Sequence, residues 1–291
     1  MKRKSDFRKA MKKYWTNPTA VLGTCLLIFF VIVAIFAPQI AGVNEFGSNY
    51  QIPIVSWRAA PQPPSAEHPF GVIGGRSVFY GVVWGTRTAF RIGIIVSAIS
   101  TLIGLVIGSI AAYFGGIVDE ILMRITDVFM SIPFLIAAMV MTVILGKGLD
   151  NVMIALTVFG WMPTARLIRG NILQAKEEQY VLAAKALGQN SWVIIVKHLL
   201  PNTIFPVVVQ VSMRMGSLVI TAAALSFLGV GAEPGYADWG TILSYARDWM
   251  TVLDRSWFAI VYPGTAMVLF VLAWNLVGDA LRDIFDPRLR G

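Results

Sequence analysis

Cysteine occurs once in these 291 residues, histidine twice, and charged residues make up only 14% of the chain. The lone Cys25 excludes any disulfide within the chain and reads as a small apolar residue inside a hydrophobic run. His68 and His198 are too few and too far apart for a histidine-based metal centre, so no metal site is expected. No Gly-x-Ser-x-Gly elbow offers a nucleophile. The glycine-rich stretch FGVIGGRS (70–77) lacks the Gly-Lys-Ser/Thr that grips nucleotide phosphate. Nothing in the sequence supports an enzyme. The scarcity of charge also excludes a soluble domain, because 56% of residues are hydrophobic and the mean hydropathy is +0.69.

What is present is a set of long apolar runs. Crossing about 30 Å of hydrocarbon takes roughly 18 to 25 helical residues, and six runs qualify. They are Thr19 to Pro38, Ala89 to Tyr113, Val128 to Gly146, Asn151 to Ile168, Thr203 to Leu228 and Trp257 to Asp279. The reading is an all-α polytopic membrane protein of six transmembrane helices. Its segments are a basic tail (1–18), the first span (19–38), an outer loop (39–88), a core of five spans (89–279) that includes a cytoplasmic loop (169–202), and a C-terminal tail (280–291). The first run is long and ends without a small-residue cleavage pattern, so it is expected to be retained.

Lysine and arginine set the orientation. Sixteen fall on the side of the termini and six on the other, with Arg91 and Arg214 inside spans. Positive residues favour the cytoplasmic side, so both termini are expected there, in a cell or inner membrane. The net charge of +8 then reflects topology and anionic lipid, and no nucleic-acid partner is expected.

Small residues and turn formers indicate how the spans pack. Ser100, Gly104, Gly108 and Ala112 repeat every four residues along the second span, a small-residue stripe that admits a close helix neighbour. The Gly146–Asp150 turn makes the third and fourth spans a tight hairpin. Residues 39–88, with five prolines, read as an extended excursion with a short amphipathic piece around Val78 to Trp84.

The loop between the fourth and fifth spans is about 36 residues long, and a loop of that length usually has structure of its own. At about 100° per residue, Tyr180, Ala183, Ala184 and Leu187 fall on one face, with Glu178 and Lys185 opposite. Gly188 then ends the helix, Ser191 caps a second one and Pro201 limits it. A helix meant only to lie on lipid headgroups would carry larger apolar residues and more positive charge. The alanine-rich face suits docking into a partner's groove.

The stretch LAAKALGQNSWVIIVKHLLP (182–201) resembles the signature of ATP-binding-cassette importer permeases: Glu-Ala-Ala, three residues, Gly, nine residues, Ile, one residue, Leu-Pro. Ala183, Ala184, Gly188, Leu200 and Pro201 match, while Leu182 replaces the glutamate and His198 the isoleucine. The segments NPTAVLG, YFGGIVDEILMRITDVFMSIPFL (113–135), ALSFLGVGAEPGYADWGTIL (224–243) and YPGTAMVLFVLAWNLVGDALRDIFDPRLR (262–290) are similar to the C-type permease of dipeptide, oligopeptide and nickel importers.

That resemblance implies a type I importer permease fold with a cytoplasmic coupling helix built from Tyr180, Ala183, Ala184, Lys185, Leu187, Gly188, Leu200 and Pro201. It implies as partners a second related permease in a heterodimer, two cytoplasmic ATPases and an extracytoplasmic substrate-binding protein. ATP and magnesium would act on the ATPases, with no cofactor in this chain. Peptides are the first substrate class, with oligosaccharides and nickel complexes as alternatives. A secondary transporter and a membrane scaffold stay open on the residues alone, although the first would be expected to carry acidic or histidine residues within its spans, where Asp127 and Asp279 lie near span ends, and the second would not explain Arg214.

Two further sets of residues are candidates. Arg214 lies deep in the fifth span, where an arginine costs about 2.5 to 3.5 kcal/mol on insertion scales. Either it pairs with another span, with Asp127 the candidate, or it lines a translocation path beside Met213 and Ser217. On the outer side, Asp238, Trp239, Asp248 and Trp249 are expected to contact the binding protein, unless the tryptophans form a belt at the lipid interface.

Overall fold

The computed structural model describes residues 14–285 except residues 46 and 59. The basic positions Lys2 to Lys13, and Arg288 and Arg290, lie outside the described residues.

Helix α1, Pro18–Ile35, starts where its sequence says it should. Asn17 accepts from the Thr19 amide at 3.0 Å, and Pro18 sits at the first position, where its missing N–H costs nothing. Helix α2, Val78–Phe114, is capped by Ser77, which accepts from the Tyr80 amide at 3.3 Å. Its 37 residues extend about 55 Å at 1.5 Å per residue, far more than the hydrocarbon requires. The outer loop therefore ends at residue 77, not 88. Val78 to Trp84 is the first part of this helix, not a separate amphipathic piece. Those residues bury Val78, Tyr80, Val83 and Trp84 against protein, so a test tuned to lipid thickness passes over them.

The third span is broken. Helices α3 (Gly116–Met130) and α4 (Phe134–Leu145) meet at 84°. Pro133 lacks an amide hydrogen and disfavours helix at the residue before it, so the expected run from Val128 bends at Ser131–Pro133. Gly146 and Gly148, at φ 90° and 141°, then turn the chain into α5 (Leu149–Val158), which continues after one irregular turn as α6 (Met162–Ala175). Helix α7 is Gln179–Ala186, α8 Phe205–Phe227, α9 Trp239–Arg247 and α10 Phe258–Phe285. Among the described residues, five stretches are long and apolar enough to cross a membrane, and the bent α3–α4 pair makes a sixth.

Small residues set how these helices meet. Phe30 of α1 lies edge-on to Phe270 of α10 at 5.4 Å, and a Cβ on Gly23 would touch Leu276 Cβ at 2.6 Å. The two helices are thus antiparallel, and the two ends of the described chain share a face. The small-residue stripe packs against α6: a Cβ on Gly104 would meet Trp161 O at 2.6 Å, and one on Gly108 would overlap Ala165 O and Ile168 Cγ2. Gly216 of α8 faces Val271 of α10 in the same way.

The outer side is closed by a cap built from two distant segments. Gly74 and Gly75, at φ 56° and 73°, form a tight turn between strands β1 (Val72–Ile73) and β2 (Arg76–Ser77). Among the described residues this hairpin is the one two-stranded sheet. Bridge Gln51↔Tyr236 stitches the first outer segment to the second, while Ile54↔Arg76 folds the first segment back onto its own hairpin. Tyr236 stacks on Tyr50 with centroids 5.6 Å apart, and burial pushes its phenol up to about 12.

Helix α9 lies under this cap and overturns two expectations. Trp239 is 1% exposed, wedged against Phe30 and Phe270, and its indole N–H donates to Val82 O at 3.0 Å. Asp238 is buried as the N-cap of α9 and accepts from the Thr241 amide at 3.2 Å. Neither residue can touch a partner protein. A tryptophan and a carboxylate in a loop look external by type, but one fills the outer core and the other satisfies a helix end. Asp248 is exposed, whereas Trp249 is half-buried, its carbonyl accepting from Ser256 Oγ at 3.0 Å.

Candidate functional site

Helix α7 stands on a small core of its own. Val181 and Ala184 turn inward against Ile172 of α6 and against Ile194, Ile195 and Leu199 on the C-terminal side of the turn. Ala184 therefore does not share the open face on which the wheel placed it. Tyr180, Ala183 and Leu187 do face outward, with Leu187 80% exposed. Burial, then the neighbouring Glu178 charge, push the Tyr180 hydroxyl above its ordinary range. Lys185 is exposed and lies over the Tyr113 ring at 5.7 Å.

The turn after α7 is fully specified by its backbone. Gly188 adopts φ 69°, its amide donates to Lys185 O at 2.9 Å, and the Gln189 amide donates to Ala184 O at 3.1 Å. This is the paired-bond helix ending that a glycine permits without side-chain strain. Asn190, not Ser191, caps the second limb, accepting from the Trp192 amide at 2.9 Å. Ser191–Val193 runs into a π-helical segment, Ile194–Leu199, and on through Leu200–Thr203.

Pro201 begins the last turn and does not end it. The widened π turn precedes the proline, and Asn202 Nδ2 donates to His198 O at 2.7 Å. Leu200 is half-buried and Pro201 exposed. His198 Nε2 meets Gln189 Oε1 at 2.9 Å, tying the second limb to the turn. The result is a knob whose outer surface presents large apolar side chains among polar ones. Sequence reasoning missed three contributors to that surface: Leu182, Trp192 and Val196, each about half exposed. Large apolar residues on a water-facing loop were the available signal.

Two ion pairs fasten α6, the helix leading into the knob, to α3. Arg169 grips Asp119 with two hydrogen bonds of 2.6 Å, and Arg166 pairs with Asp127. Asp127 is thereby taken, which overturns its proposed pairing with Arg214. Asn171 Nδ2 also donates to Thr203 O at 3.2 Å, joining α6 to the end of the knob.

Helix α8 leaves the knob and carries Met213, Arg214 and Ser217. Met213 turns toward Gly278 of α10, Arg214 is half-buried, and Ser217 is exposed. Gln210 and Thr221 extend the polar positions on the same side. Among the described residues, no group of His, Cys, Asp or Glu is arranged to hold a metal ion.

The family model for the binding-protein-dependent transport system inner membrane component matches residues 104–291, and the model for the N-terminal TM domain of oligopeptide transport permease C matches residues 5–64. The dipeptide transport system permease protein DppC of Bacillus subtilis (strain 168) is 36% identical over 283 residues, covering 97% of this chain and 85% of the relative. The oligopeptide transport system permease protein OppC of the same strain is 34% identical, covering 98% and 91%. The glutathione transport system permease protein GsiD of Pectobacterium atrosepticum is also 34% identical, covering 99% and 93%. Among solved structures, an inward-facing MetNI methionine ABC transporter aligns with a TM-score of 0.56 at 22% identity, covering 72% of this chain and 98% of that one, a likeness of fold.

Proposed function

This chain belongs to the family of binding-protein-dependent transport system inner membrane components, and from that membership we propose that it is the C-type permease of an ATP-driven importer of dipeptides or short oligopeptides. As a permease subunit it is not itself an enzyme, and it works with ATPase and substrate-binding subunits. The finer assembly is part of the proposal: a heterodimer with a second related permease, two cytoplasmic ATPases that hold ATP and magnesium, and a binding protein on the outer side. Both termini face the cytoplasm, because the positive residues concentrate on that side. The dipeptide, oligopeptide and glutathione names of the relatives support a peptide substrate.

The observation that carries the reading is the knob at Tyr180–Leu187, whose outer surface presents large apolar side chains and whose underside is bolted to α6 and α8. In an ATPase groove this surface would be covered. ATP-driven closure of the ATPases would push the knob, and the Asp119 and Asp127 pairs would pass the displacement through α6 and α3 to the spans, turning the cavity outward. Hydrolysis would reset it.

The test is reconstitution of this chain with its partner permease, ATPases and binding protein in liposomes. ATP-dependent accumulation of a labelled dipeptide, lost when this chain is left out, is the expected result. Glutathione belongs in the same assay. Uptake that ignores ATP and depends on an ion gradient would overturn the proposal.

A further inference from the structure

Along α8, Gln210, Arg214, Ser217 and Thr221 recur at steps of four, three and four residues. A helix turns about 100° per residue, so all four share one narrow stripe. The opposite side holds the buried residues Ser212, Gly216, Val219, Ala223 and Ser226, which pack against the rest of the chain. The stripe is open at Ser217, which is exposed, and partly covered at the other three positions. A polar stripe facing acyl chains would be costly in a spanning helix, so its surroundings are protein or water.

The four residues differ in what they leave unsatisfied. Ser217 Oγ donates to Arg214 O and Thr221 Oγ1 to Ser217 O, each at 2.9 Å, so both hydroxyls are turned onto their own backbone. Gln210 lies 3.4 Å from the Thr164 hydroxyl. Arg214 is different. Elsewhere in the spans, Arg87 donates to Ala34 O, Arg91 pairs with Asp150 at 2.6 Å, and Arg166 and Arg169 pair with Asp127 and Asp119. The Arg214 guanidinium meets no acceptor among the described residues, and it sits close to the midpoint of the 23-residue helix.

We propose that this stripe lines the translocation path and that Arg214 receives the free carboxylate of the passing peptide. The proposal rests on the peptide-import reading and names the group on the substrate that this chain selects. An importer that accepts varied side chains can hold only what peptides share, and the terminal carboxylate is shared. A guanidinium offers that group two parallel hydrogen bonds, and the small hydroxyl residues beyond it leave room for any side chain. Ser217 and Thr221 keep the wall polar without competing for the anion.

The test uses the full complex in proteoliposomes, with dialanine and its C-terminal amide as substrates at concentrations that saturate the binding protein. Arg214→Gln should slow dialanine uptake about tenfold or more, the loss expected when a charge-assisted hydrogen bond disappears, while amide uptake stays within about twofold of the parent. Arg214→Lys should recover part of the dialanine rate. Equal slowing of both substrates, or no change in either, would overturn the proposal. So would failure of Arg214→Gln to assemble, because the arginine would then pair with an acid on another subunit. If the unsubstituted complex imports neither substrate, the peptide-import reading itself fails, a distinct outcome.

Discussion

Replacing Gly188 separates two demands that meet at the end of the coupling knob. At φ 69° its backbone lies in the left-handed region, and a Cβ built there would find nothing within 4 Å. Any defect in the isolated chain is therefore backbone strain and not a clash. A residue with a Cβ costs about 1 to 2 kcal/mol in that region, valine more because of its branched Cβ, and asparagine less. A strain of about 2 kcal/mol shifts the turn toward other conformations by a factor of roughly 30.

Gly188→Val should thus insert and assemble but show sharply reduced dipeptide uptake and binding-protein-stimulated ATP hydrolysis. Gly188→Asn, which tolerates the conformation, should keep most of both if only the turn matters. If asparagine impairs coupling as much as valine while the chain's thermal stability is unchanged, the space in front of the glycine is occupied by the ATPase and close contact is the dominant requirement. Normal transport by the valine variant would refute the role given to this turn.

Other substitutions probe the scaffold. Gly108→Leu should force α2 from α6 at Ala165 and Ile168 and lower the thermal midpoint of the purified complex, with an overpacking cost of about 1 to 3 kcal/mol, whereas Gly170→Ala, with open space around it, should not. Asp238→Ala should destabilise by about 0.5 to 2 kcal/mol through loss of the α9 cap, and Asp238→Asn should keep the cap. Burial raises the Asp238 carboxyl above its ordinary value, so the folded state favours its neutral form. Its stabilising share is full below pH 3.8, falls as pH rises through the raised value, and is flat above it. Thermal melts across acidic pH should show that slope in the parent and not in Asp238→Asn. Arg169→Gln should cost about 1.5 to 3 kcal/mol by orphaning Asp119. Adding Asp119→Asn should recover part of that loss, and strict additivity of the two would contradict the clamp.

Lipid makes most of the fold legible. Apolar runs of membrane length find every span, and the ends of α1 and α8 to within a few residues, because hydrocarbon tests length and composition directly. They cannot show where a helix leaves lipid for protein, so the first turns of α2 pass for loop. Ser131-Ile132-Pro133 announces the α3–α4 bend, yet the apolar run carries through it. Gly188 is legible because a helix ending in that conformation selects glycine locally. Asp238 and Trp239 are not, since their burial depends on Phe30, Phe270 and Val82, far away in sequence. The pairing of Asp127 turns on Arg166 and Arg169 standing three apart on one helix face, a pattern open to inspection. Gln210 and Thr221 complete a spacing of which Arg214 and Ser217 alone give only the middle.

Helix α1 touches the rest of the chain through very little of its surface. Ala20, Gly23 and Phe30 are its buried residues, whereas Leu22, Ile28, Phe29, Ile32 and Ile35 are all about half exposed. The helix is thus a stave fixed to the rim of the bundle by three rivets. Around those rivets the bilayer asks only for greasiness, which leucine, isoleucine, valine and phenylalanine supply interchangeably. Gly23 is the exception, since any larger residue would prise the stave from Leu276. Drift in this span should therefore be rapid on the outward side and nearly frozen at three points, however the cargo of the transporter changes.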